Sequence, residues 1–189
     1  MNEHQIIEQL HSQSTPYALV VTGGGSGLIG LLLSVPGGSR SLLEGIVPYH
    51  SDALSHYLGH EPEKWCSLQT SIDMAERAYT RASGLAGGQE VVGIGCTASL
   101  VSDRPKRGEH RFHLSIYSSD QCQSWSLTLD KGKRDRPGEE QLVQRVALNA
   151  MAEKFGIKDR LELPLTEKET IGTETLHFDD SLTRLYSQK

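Results

Sequence analysis

The sequence is poor in the features that would send it to a membrane, a secretory route or a nucleic acid. No apolar run approaches the ~20 residues a membrane span requires. The opening stretch MNEHQIIEQLHSQS is polar and amphipathic, unlike the charged-then-apolar start of a signal peptide. Cysteine is scarce: Cys66, Cys96 and Cys122 form no CxxC pair and no metal-ligand spacing, an odd, scattered set that fits reduced thiols in a cytoplasm. Basic residues are outnumbered, 19 Lys and Arg against 24 Asp and Glu, and the net charge of −5 sets up no field toward nucleic acid or anionic lipid. No internal repeat and no low-complexity tract is present. Trp65 and Trp125 have no partner motif and read as packing residues.

What remains is ordinary globular material. Hydrophobic residues at 37% supply one core, and a length of 189 residues suits one domain with a short appendage. Glycine is abundant, at 19, and gathers near strand ends.

Periodicity predicts a helix over 3–13, with Ile6, Ile7 and Leu10 on one side. The run Tyr17–Val21 reads as a buried strand feeding the tight turn Thr22-Gly23-Gly24-Gly25-Ser26-Gly27. Leu28–Leu33 continues as an apolar helix until Val35-Pro36-Gly37-Gly38 breaks it. A second strand falls within 41–49, and a helix over roughly 67–83. Glu90–Thr97 is an apolar strand whose glycines suggest a close backbone approach. The alternating segments 111–117 and 124–129 form an antiparallel pair, and 139–155 is a helix ended by Gly156. Beyond Leu161 the pattern degrades into a polar Thr/Glu-rich segment, read as a docked arm or the start of a linker. This order predicts an α/β fold, a three-layer α/β/α sandwich with a mixed, mainly parallel sheet and an antiparallel hairpin. The domain is placed at 1–160, followed by an arm or tail at 161–189.

Several segments, in order and spacing, resemble the C-terminal domain of the competence/damage-inducible CinA family, which includes nicotinamide-nucleotide amidohydrolases. The family's Ser-Cys-Thr-Gly-Gly turn corresponds to Thr22–Gly27, and its Val-Pro-Gly-Ala-Ser loop to Val35-Pro36-Gly37-Gly38-Ser39. Its Val-Val-Ala-Tyr-Ser-Asn-x-x-Lys strand end corresponds to Ile46–Leu54, and its Val-Thr-Gly-Ile-Ala-Gly-Pro segment to Cys96–Val101. The resemblance covers about residues 3–156. The segments GCTASL and DRPKRGEHRF look more like a branch in which this domain precedes a nucleotidyltransferase-like domain. The chain then reads as a stand-alone relative, with a separate nucleotidyltransferase as a possible partner.

The resemblance implies hydrolysis of the carboxamide of nicotinamide mononucleotide to the acid and ammonia, with no cofactor and no metal, on a small-molecule nucleotide. It also implies a homodimer or higher homo-oligomer. Such a reaction needs a nucleophile, a base and donors for the oxyanion. The family's Ser nucleophile falls on Thr22; Ser26 offers a second hydroxyl. The amides of Gly23, Gly24, Gly25 and Gly27 would face an anion at the helix N-terminus; the alternative is a tight turn without ligand. The family's Lys falls on Leu54, which cannot accept a proton. Tyr49 matches, but an unassisted Tyr is a poor base at neutral pH, and His50 and His56 flank the position. Thr97 matches the family's Thr and would line the pocket beside Ser99. The basic cluster Arg104, Lys106, Arg107 and Arg111 could clamp a phosphate; a solvated loop is the alternative. Two readings therefore stand: an amidohydrolase using Thr22 or Ser26, and a non-catalytic nucleotide-binding or assembly module.

Overall fold

The computed structural model describes residues 2–178. The chain opens with helix α1 (Glu3–His11), started by a capping box in which the Asn2 side chain accepts from the Gln5 amide and the Gln5 side chain accepts from the Asn2 amide, both at 3.0 Å. Strand β1 (Tyr17–Thr22) follows, then α2 (Gly27–Ser34), the single turn α3 (Gly38–Ser41) and β2 (Leu42–Ile46). Two helices, α4 (Ser51–Leu58) and α5 (Leu68–Leu85), lead to β3 (Val92–Ser99). The hairpin β4 (His110–Tyr117) and β5 (Gln121–Leu129) precedes α6 (Arg136–Lys154), and β6 (Gly172–His177) is the last element described.

The six strands form one mixed sheet in the order β2-β1-β3-β4-β5-β6. β1 pairs in parallel with β2 and with β3, and every later pairing is antiparallel. The expectation of a mainly parallel sheet is corrected here. Parallel pairing stops at three strands, because a hairpin and then β6, from a segment too polar to read as a strand, extend the sheet antiparallel. α4 was also not anticipated, since its eight residues hold only one buried side chain, Leu54.

Helices cover both faces. Along β1, Leu19 and Val21 enter one apolar cluster with residues of α1, α2 and α6, while Ala18 and Val20 enter a separate one with residues of α4 and α5. Alternation in one strand thus assigns the two layers. The glycines of β3 let α5 lie directly on the sheet. A Cβ on Gly93 would stand 2.1 Å from the Ala75 carbonyl oxygen, and one on Gly95 2.5 Å from the Ser71 carbonyl oxygen.

Past residue 160 the chain is tied to the domain. Asn149 bonds both backbone groups of Leu161, donating to its carbonyl (2.9 Å) and accepting from its amide (2.7 Å). Leu163, Leu165 and Ile171 pack on the larger cluster. The buried Glu169 carboxylate accepts from the Arg134 guanidinium (2.6 and 2.8 Å) and from the Asp130 and Thr166 amides (2.9 and 2.8 Å). β6 then pairs with β5. Residues 179–189, the end of the expected tail, lie outside the described residues. Among the described residues no helix is long and apolar enough to cross a membrane.

Candidate functional site

β1 sends the chain to β2 on one side, while β3 pairs on the other. In open α/β sheets the crevice beyond the carboxyl ends of two such strands is the usual ligand position. A cleft of about 360 Å³ lies there. Thr22 at the end of β1, Gly23 just after it, and Thr97 and Ser99 from β3 form its floor, the start of α4 and the segment at Trp65 and Cys66 form its walls, and Lys106 and Arg136 reach it from later in the chain.

Thr22 and Thr97 are register partners across β1 and β3. Both are nearly enclosed, at 7% and 1% exposure. Each hydroxyl donates to a main-chain carbonyl, Thr22 to Pro48 (2.9 Å) and Thr97 to Trp65 (2.9 Å). No titratable side chain among the described residues hydrogen-bonds the Thr22 hydroxyl.

The glycine-rich turn is used differently from the expectation. Gly23 lines the cleft with φ +77°, and a Cβ there would stand 1.9 Å from the Ala98 carbonyl oxygen, so only glycine fits. Gly24 and Gly25 turn away and back onto Leu100, Cys96 and Val143. The anion at the start of α2 belongs to the protein itself. The Glu140 carboxylate accepts from the Gly25 amide (2.8 and 2.9 Å) and the Gly27 amide (3.2 Å). Ser26 is exposed and does not line the cleft.

On the α4 side Tyr49 and His50 line the cleft, both exposed, and Leu54 closes it while packing into the core at 2% exposure. His50 is the N-cap of α4, its Nδ1 accepting from the Asp52 amide at 3.2 Å. His56 is exposed and lies outside the cleft.

The basic cluster divides. Lys106 lines the cleft and donates to Ser99 Oγ at 3.1 Å, whereas Arg104 and Arg107 are exposed and lie outside it. Arg111 pairs with Ser99 on β4, outside the lining, and its charge acts on the Cys66 thiol. Burial raises the Cys66 thiol above its ordinary value, against the pull of Thr97, Arg111 and Lys106.

Sequence reasoning missed Arg136, Trp65 and Cys66. Arg136 opens α6, with its guanidinium donating to the Gly23 carbonyl (2.6 Å) and the Val101 carbonyl (2.9 Å). Its signal was the string Asp135-Arg136-Pro137, an N-cap followed by Pro in the first turn, which marks a helix start and hence a side chain at a helix end. Trp65 and Cys66 carry no local signal, since a long loop brings them over β3. Among the described residues no cluster of three or more His, Cys, Asp or Glu side chains could hold a metal ion.

A mixed α/β sheet with a cleft at the carboxyl ends of its parallel strands defines the class. The particular fold is that of the competence/damage-inducible CinA superfamily. The chain is similar to the CinA superfamily protein of Klebsiella pneumoniae 700603 (TM-score 0.63, 14% identity, covering 82% of this chain and 99% of that one). It is similar to the one from Escherichia coli (TM-score 0.61, 13% identity, 81% and 90%). A third likeness is to the competence/damage-inducible protein CihA of Agrobacterium tumefaciens (TM-score 0.58, 15% identity, 83% and 96%). These identities establish the fold alone. No family model matches the sequence, and no curated protein matches it.

Proposed function

We propose that this domain binds a small nucleotide, or a related phosphorylated molecule, in the cleft, and that the carboxamide hydrolysis implied by the family resemblance is reduced or lost. The observation that carries this reading is the state of Thr22. Its hydroxyl hydrogen goes to the Pro48 carbonyl, and the place of the family's lysine is filled by the buried Leu54. A nucleophilic hydroxyl needs a group to take its proton; a backbone carbonyl at a neutral site does not. Binding needs less, and the cleft has it. Lys106 and Arg136 supply two cations for an anionic group. Thr97, Ser99 and Ser102 supply hydroxyls, and Tyr49 and Trp65 supply ring faces.

The test pairs titration calorimetry with an ammonia assay, both on nicotinamide mononucleotide. Binding is expected at about micromolar strength, weakened roughly tenfold or more in Lys106→Ala, as for loss of a charge-assisted hydrogen bond. Ammonia should stay at the uncatalysed level. Ammonia release abolished by Thr22→Ala would reverse the reading in favour of the hydrolase, and a flat calorimetric trace would remove it.

A further inference from the structure

The segment 101–109 between β3 and β4 carries Lys106 to the cleft with slight internal support, a bond from Ser102 Oγ to the Arg104 carbonyl (2.8 Å). Among the described residues no backbone–backbone hydrogen bond is made within it. Side chains from elsewhere hold it. At its start the Val101 amide donates to Glu139 Oε2 (2.7 Å), and the Val101 carbonyl accepts from Arg136 (2.9 Å). At its end the imidazole of His110 meets Glu139 Oε1 through Nδ1 (2.6 Å). In the middle Lys131 Nζ donates to the carbonyls of Lys106 (2.7 Å) and Gly108 (3.0 Å).

Glu139 is thus the one side chain among the described residues that hydrogen-bonds both ends. It has no exposure to solvent, and His110 is 6% exposed. A carboxylate accepts and does not donate, and its two oxygens are divided, Oε2 to the Val101 amide and Oε1 to the His110 imidazole. A carboxylate placed this deep is costly unless fully bonded, so the loop ends and the first turn of α6 constrain each other. The loop apex itself is exposed at Arg104, Arg107 and Gly108, and its pose over the cleft follows from where its ends are fixed.

We propose that Glu139 is a positioning residue: by fastening both ends of the 101–109 loop it holds Lys106 over the cleft and so sets the cleft's selectivity for phosphate-bearing ligands. The selectivity half rests on reading the cleft as an anion-binding site. The fastening half does not.

The experiment uses the full chain, with nicotinamide mononucleotide and the same nucleoside without its phosphate as probes. Glu139→Gln and Lys106→Ala should each weaken mononucleotide binding about tenfold and leave nucleoside binding unchanged. The double variant should bind no more weakly than Lys106→Ala alone, because the two act through one contact. Losses that multiply would overturn the proposal, as would equal losses for both probes. Trypsin should nick Glu139→Gln after Arg107 at least tenfold faster than the parent, and an unchanged rate would sink the fastening half. His110→Asn, whose side-chain amide can donate where Nδ1 does, should keep parental binding and nicking, whereas His110→Leu should behave like Glu139→Gln. That pair also decides the matter if Glu139→Gln does not fold. A parent chain that binds neither probe would remove the selectivity claim and the cleft reading together, and the nicking rates would still decide whether Glu139 fastens the loop.

Discussion

Thr22 and Thr97 face each other across the parallel β1–β3 pair, and each gives its hydroxyl hydrogen to a carbonyl on a different wall of the cleft. The two hydroxyls therefore tie the floor to the walls: Thr22 holds the segment before α4 through Pro48, and Thr97 holds the segment before α5 through Trp65. Replacing Thr22 by Val keeps the shape and deletes the bond, leaving the Pro48 carbonyl without its donor. Stability should fall by about 1–3 kcal/mol, read by chemical denaturation, while ammonia release from nicotinamide mononucleotide stays at background. A parent activity lost in this variant would restore Thr22 as nucleophile.

Cys66 is half-buried in the cleft, while Cys96 and Cys122 are buried elsewhere. Burial lifts all three thiols above their ordinary values, Cys96 most strongly, so little thiolate is present at neutral pH. Iodoacetamide should label Cys66 first, slowly, and faster as pH rises through the alkaline range. Saturating mononucleotide should slow the labelling several-fold. Peptide mass mapping checks the order, and label appearing first at Cys96 or Cys122 would contradict the placement of these thiols.

Gly95 has no room for a side chain, since its added Cβ would meet the backbone of Ala75 and Ser71 at 2.5 Å. Gly95→Ala should lift α5 off the sheet and cost about 3 kcal/mol, at the upper end of ordinary overpacking. Gly84, on the same helix, has nothing within 4 Å of an added Cβ, so Gly84→Ala should be neutral or mildly stabilising. Comparison of the two melting midpoints tests the contrast, and equal midpoints would deny the close approach.

Glu169 provides a pH signature. Burial would raise its carboxyl, but Arg134 and the amides of Asp130 and Thr166 outweigh burial and hold it at about 2. With the folded value below the unfolded one, the group stabilises the fold above the ordinary carboxyl range, and that contribution disappears as pH falls from about 4.3 toward 2. The melting-point gap between the parent and Glu169→Gln should be widest near neutral pH and close over that interval. A gap independent of pH would show that the carboxylate's charge is not what matters.

Much of the fold is legible in the residue pattern. The apolar runs at β1 and β3, the alternation at β4 and β5 and the stripe on α6 each declare their element, and the glycines of β3 announce a close neighbour, which proves to be α5. The weakly patterned pieces are the ones that escaped. α4 shows one buried leucine, and β6 is exposed along its whole length, so neither carries the periodicity that burial imposes. Of the residues that line the cleft, Thr22, Tyr49 and Thr97 were expected from the motifs of the family resemblance, Gly23 from the glycine-rich turn, His50 and Ser99 from their places beside Tyr49 and Thr97, and Lys106 from the basic cluster. Gly25 and Gly27 were read as donors to a ligand, but their amides go to Glu140, 115 residues from Gly25, and no local signal reveals a partner so distant. Arg136 is remote for the same reason, 113 residues from the carbonyl it holds.

The first turn of α6 has a consequence for the order of assembly. Arg136, Glu139 and Glu140 fix the β1 turn and the loop after β3, so neither is in its final pose until a helix made more than a hundred residues after Gly23 has docked. The pose of the cleft therefore depends on α6, and a chain halted before residue 136 would lack both these contacts and the α6 side of the larger core.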